Sequence, residues 1–96
     1  DLLETQRTYL QALAAEQLAE ERLKRDEQLA RERIIAERRL LTTRAEYEYA
    51  RTTLAEREQM LTLLGMAEED ARTLREKRQI AASLTVSAPR DGVVLE

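Results

Sequence analysis

A seven-residue repeat runs through residues 36–64, which read AERRLLTTRAEYEYARTTLAEREQMLTLL. Its two series are Leu40, Tyr47, Leu54 and Leu61, and Ala36, Thr43, Ala50, Arg57 and Leu64. Among these nine positions only Arg57 is charged, and no Pro or Gly interrupts the segment. A strict seven-residue repeat places a narrow stripe of side chains on one side of a helix. We therefore expect this helix to bury its stripe against a second long helix.

The preceding residues, 1–33, are mostly strong helix formers and contain no Pro or Gly. One apolar face of this predicted helix comprises Leu2, Tyr9, Leu13, Leu23, Ala30 and Ile34, and an adjacent stripe comprises Leu3, Leu10, Ala14, Leu18 and Leu29. Together they form a wider apolar surface than one helix–helix contact requires, which indicates lateral neighbours.

Nothing between Arg31 and Glu37 is a helix breaker, so local propensity alone allows one continuous helix. Continuing the two series backward by sevens, however, places Arg33, Asp26 and Arg22 on the stripe. Two helices in different registers would avoid those charges, so we predict an antiparallel hairpin. The alternative is one long rod that dimerises with another chain.

The predicted hairpin spans residues 1–64, with helices at about 1–33 and 36–64 and a tip at about 33–36. Its expected seam residues are Leu40, Tyr47, Ala50, Leu54, Leu61 and Leu64. Gly65 is expected to end the second helix, and a connector over residues 65–79 holds a short third helix at about 67–78. Residues 80–96 alternate as a β-strand does and contain Pro89 and an Asp91-Gly92 turn. The predicted fold class is mainly α, ending in a fragment of β-structure whose sheet partners belong to a longer protein.

The composition argues against several functional classes. A net charge of −3 disfavours a general nucleic-acid binder. The chain contains no Cys and no His, which are the usual catalytic nucleophile, base and soft metal ligands. Its serines, Ser83 and Ser87, lie in the predicted strand without a base nearby in sequence, and Met60 and Met66 are the only possible soft ligands. We expect a non-enzymatic protein without a cofactor or a metal site.

A long helical hairpin followed by Ser87-Ala88-Pro89-Arg90-Asp91-Gly92-Val93-Val94 resembles the periplasmic adaptors, also called membrane fusion or HlyD-like proteins. In that family a coiled-coil hairpin interrupts a lipoyl-like β-sandwich, and residues 80–96 would begin the second half of the sandwich. Leu63-Leu64-Gly65-Met66 and the short helix after it are most similar to the heavy-metal RND efflux adaptors.

The resemblance implies a periplasmic protein attached to the inner membrane. It would link an RND transporter to an outer-membrane channel for heavy-metal cation export, with about six hairpins side by side. The family's tip motif falls on Arg25, Leu29 and Ala36, with Ala36 in place of the usual Ser; Arg25 could instead be a solvated partner of Glu21. Other interpretations are an adaptor for type I protein secretion, a structural coiled coil, and a nucleic-acid-binding arm with arginines near its turn.

Overall fold

Three α-helices account for most of residues 1–78, which are the residues that a computed structural model of the chain describes. They are α1 (Leu2–Arg31), α2 (Glu37–Leu63) and α3 (Glu68–Lys77). The prediction of a mainly helical chain is therefore confirmed, and the helix ends lie within two residues of the expected boundaries. The predicted β-strands, at 80–96, lie outside the described residues.

The chain reverses between α1 and α2 at residues 32–36, and it does so without a glycine. Arg33 adopts a left-handed backbone conformation with φ of 61°. The N–H groups of Arg33 and Ile34 donate to the carbonyls of Ala30 and Leu29, at 3.0 and 2.8 Å. This pair of hydrogen bonds is the Schellman motif, which satisfies carbonyl groups at a helix end. An ordinary side chain in this conformation costs about 1–2 kcal/mol, so packing of α2 on α1 must compensate for it.

The hydrophobic core lies at the opposite end from this reversal, where all three helices meet. Its buried members are Tyr9, Ala12, Leu13, Leu54, Leu61, Met66 and Leu74. Leu61 and Leu13 are 0% and 2% exposed, and burying one such side chain stabilises the fold by about 1.5–3 kcal/mol. Toward the reversal, the buried residues of the contact between α1 and α2 are the small or polar Ala50, Thr43 and Asp26.

A second Schellman motif ends α2, and here the left-handed residue is Gly65, with φ of 92°. The N–H groups of Gly65 and Met66 donate to the carbonyls of Thr62 and Leu61, at 3.0 and 3.1 Å. Met66 and Leu61 both belong to the buried core, so this turn directs α3 back onto the hairpin. The expectation that Gly65 ends the second helix is confirmed.

Polar contacts hold α3 against the other two helices. The Arg75 guanidinium lies 3.5 Å from the Glu58 carboxylate of α2. Arg78, which follows α3, donates from Nη1 to the Gln17 side chain of α1 at 2.7 Å. Beneath these exposed contacts, Leu74 is 2% exposed. The apolar side chain therefore anchors α3, and the polar contacts orient it.

Candidate functional site

The three residues predicted to contact a partner, Arg25, Leu29 and Ala36, lie on both sides of the reversal. Arg25 is largely exposed, and its Nε lies 3.7 Å from Oδ1 of Asp26, its neighbour in sequence. Leu29 is partly buried, and its carbonyl accepts the hydrogen bond that closes α1. Within residues 1–78, no hydrogen bond or ion pair joins the three to one another. The fold places them at the same end of the hairpin without assembling them into one cluster.

Ala36 is the N-cap residue of α2, with the extended backbone (φ −75°, ψ 151°) that a capping residue requires, but it has no side chain with which to cap. We expect Ala36→Ser to raise the free energy of unfolding by about 1 kcal/mol, because the hydroxyl accepts from a free N–H of the first turn. Urea denaturation followed by circular dichroism measures this change. Ala45→Ser, at an exposed position inside α2, is the control and should lose about 0.5 kcal/mol. Equal effects of the two substitutions would contradict the capping explanation.

The predicted seam residues are buried to different extents. Ala50, Leu54 and Leu61 are buried, and Leu40 and Tyr47 are partly buried. Leu64 differs from the expectation, since 46% of it is exposed. Leu64 is the C-cap residue of α2 and directly precedes the left-handed Gly65, so the helix ends at this seam position.

The most unusual part of the contact between α1 and α2 is a buried carboxylate. Asp26 is 2% exposed, and its Oδ2 accepts a hydrogen bond from the Thr43 hydroxyl of α2 at 2.5 Å. The Arg39 Nε lies 3.4 Å from the same oxygen. Oδ1 has no hydrogen-bond partner among residues 1–78, although the Arg25 Nε is 3.7 Å away. Four side chains near the reversal thus form one polar network, in which Asp26 and Thr43 are buried and Arg25 and Arg39 are exposed.

This network corrects one expectation from the sequence. The hairpin was predicted because it would keep charges such as Asp26 out of the seam, yet Asp26 is buried in that seam. The fold does not exclude this charge from the seam. The Thr43 hydroxyl and the guanidinium groups of Arg39 and Arg25 stabilise it. The sequence contained a signal for the pairing, because Asp26 and Thr43 are equally distant from the midpoint of residues 34 and 35. An antiparallel hairpin that reverses at this midpoint places Asp26 and Thr43 opposite each other along the two helices.

The network also sets the ionisation of its carboxyl group. The Thr43 hydroxyl is the largest cause that lowers the pKa of Asp26, and the Arg39 and Arg25 charges lower it further, against the opposing effect of burial. Asp26 is therefore ionised at neutral pH. We expect this buried charge, held by fixed partners, to favour the observed alignment of α1 and α2 over its alternatives.

The three tyrosines occupy different environments. Tyr9 is 1% exposed, and burial raises the pKa of its hydroxyl while the nearby Arg75 opposes that shift. Tyr47 is partly buried, and the Arg51 guanidinium lies 5.7 Å from its ring centroid, within range of a cation–π contact. Tyr49 points outward and is 76% exposed, so it is available to a neighbouring molecule.

Residues 1–78 contain no group of three or more His, Cys, Asp or Glu side chains that could hold a metal ion. Over the same residues, none of the helices combines the length and apolar character needed to cross a bilayer.

Comparison with known proteins identified no matching family model, curated protein or solved structure. The residues, their geometry and the sequence resemblance are therefore the basis for inferring the function of this chain.

Proposed function

We propose that this chain is the hairpin segment of a periplasmic adaptor in a tripartite efflux system. The hairpin would link an inner-membrane RND transporter to an outer-membrane channel, and the exported substrate would be a heavy-metal cation. The full protein would be attached to the inner membrane and act without catalysing a reaction. In the assembly, about six hairpins would lie side by side around a conduit, with residues 80–96 contributing to a lipoyl-like domain at the base.

The observation that supports this proposal best is the reversal at residues 32–36, which gives the hairpin a narrow exposed tip at one end only. The other end carries the hydrophobic core and α3, and the segment that resembles the adaptor strand follows α3 in the sequence. A bridging subunit needs two different ends, because one end must stay attached to its own domain while the other end reaches a partner.

Exposed apolar side chains on the outer faces supply a reason for lateral assembly. Leu3 and Leu18 on α1 are each 49% exposed, and Leu41 and Leu63 on α2 are 62% and 71% exposed. Both sets lie away from the contact between α1 and α2. Side-by-side packing of hairpins would bury these side chains, and such burial favours association.

Cross-linking from the tip tests the bridging role. In the full-length protein, we expect a cysteine at Arg25 or Leu29 to cross-link to the outer-membrane channel, because both positions lie at the tip end. A cysteine at Arg57, which is exposed on α2 toward the base, is the matched control and should not reach the channel. The measurement is mass spectrometry of the cross-linked products. Products that contain the channel from position 57 but never from 25 or 29 would exclude tip docking.

A further inference from the structure

The two ends of the hairpin carry opposite charge. Residues 22–47, the half that includes the reversal, contain eight basic and five acidic side chains, a net charge of +3. Residues 1–21 and 48–78 contain seven basic and twelve acidic side chains, a net charge of −5. One of the five acidic residues near the tip, Asp26, is buried against Thr43 and Arg39. The outer surface of this half of the hairpin is therefore basic, although the net charge of the chain is −3.

Arginine supplies nearly all of this positive charge. Of the eight basic residues at the tip end, only Lys24 is a lysine; the others are Arg22, Arg25, Arg31, Arg33, Arg38, Arg39 and Arg44. A guanidinium is planar and weakly hydrated, and it pairs with a carboxylate through two parallel hydrogen bonds. Among these arginines lie two exposed apolar side chains, Ile34 (63%) and Leu41 (62%). Arginine combined with exposed apolar side chains is characteristic of protein-binding surfaces.

Arg33 occupies a backbone position that would be more stable with glycine. The Schellman motif at the end of α2 uses Gly65, whereas the same motif at the end of α1 uses Arg33 with φ of 61°. The Arg33 side chain is exposed, and it forms no ion pair or hydrogen bond with any other residue of 1–78. A strained residue whose side chain stabilises nothing in its own fold indicates a role outside that fold.

We propose that Arg33 and Ile34 form the contact element of the tip, and that this element binds a protein surface on which carboxylates surround an apolar pocket. This inference rests on the proposed function, since it specifies the chemistry of the surface that the tip meets. Arg33 forms charge-assisted hydrogen bonds with the carboxylates, and Ile34 enters the apolar pocket. The acidic base is repelled by the same surface, so the hairpin approaches it tip first.

A binding experiment on the whole chain tests the inference. The probe is a fluorescein-labelled peptide in which glutamates surround a pair of leucines, and binding is followed by fluorescence anisotropy. We expect Arg33→Gly to weaken binding by about tenfold, the size expected for losing one charge-assisted contact. Glycine also relieves the left-handed strain, so the loss would not come from unfolding, and urea denaturation checks this. Ile34→Ala should weaken binding by about threefold.

Arg57→Gln is the matched control, because Arg57 is an exposed arginine outside the tip and its loss lowers the net charge equally. Equal weakening by Arg33→Gly and Arg57→Gln would overturn the inference, since net charge alone would then explain binding. Tighter binding to an RNA oligonucleotide or to phosphatidylglycerol vesicles than to the peptide would overturn it as well. Channel cross-links from position 25 without peptide binding would leave the bridging role standing and reject this inference. Arg33-dependent peptide binding without channel cross-links would support this inference and reject the bridging role.

Discussion

Leu61→Ala is expected to lower the free energy of unfolding by about 2–5 kcal/mol, the range for truncating a buried leucine to alanine. Leu61 is 0% exposed, and it lies in the core that joins α1, α2 and the segment leading to α3. Truncation of the Leu61 side chain leaves a cavity. The helices cannot easily move to fill it, because tight turns connect them on both sides of α2. Because a domain of this size is only marginally stable, the thermal midpoint should fall by many degrees.

Leu63→Ala is the matched control for this substitution. Leu63 lies on the same helix two residues later, but it is 71% exposed, so its truncation should change stability by no more than about 0.5 kcal/mol. Urea denaturation of both variants, followed by circular dichroism, gives the comparison. Similar losses at positions 61 and 63 would show that the apolar contact between the helices is not where the structure places it.

Thr43→Val is expected to lower the free energy of unfolding by about 1–3 kcal/mol at neutral pH, because the substitution leaves a buried polar group without its hydrogen-bond partner. Threonine and valine have nearly the same shape, so the packing around position 43 is not otherwise disturbed. Only the hydroxyl is lost, which donates to Asp26 and also lies 3.0 Å from the Arg39 carbonyl oxygen. Thr42→Val is the control, since the Thr42 hydroxyl is exposed and, among residues 1–78, bonds only the Arg38 carbonyl. This substitution should change stability by less than about 0.5 kcal/mol.

The effect of Thr43→Val should depend on pH in a defined direction. The fold lowers the pKa of Asp26, with the Thr43 hydroxyl as the largest cause. The ionised carboxylate therefore contributes stability that is fully present above its unfolded-state pKa, near 4, and is lost as the pH falls through the lower folded-state value. Wild type should lose stability over this acidic window more steeply than Thr43→Val. Parallel pH profiles for the two proteins would show that the hydroxyl does not set the ionisation of Asp26.

The tip shows where the sequence was informative and where it was not. The heptad registers placed a reversal near residue 34, and α1 does end at Arg31. The turn itself was not foreseeable from residue types, because Arg33 adopts a conformation that local propensity assigns to glycine. Asp26 appeared in the sequence as a charge to be kept off the seam, and the structure buries it. In both cases the local preference was overridden by contacts with a helix distant in sequence.

The sequence alone determined the helices, the spacing of the stripe on α2 and the glycine that ends it, because each depends on neighbours within one or two turns. Only the tertiary structure decided which polar side chains share the interior. The hydrogen bond between Thr43 and Asp26 joins residues 17 positions apart, and it exists only when α2 lies against α1 in one particular alignment. That alignment depends on the summed packing of both faces, which no short segment of the sequence contains.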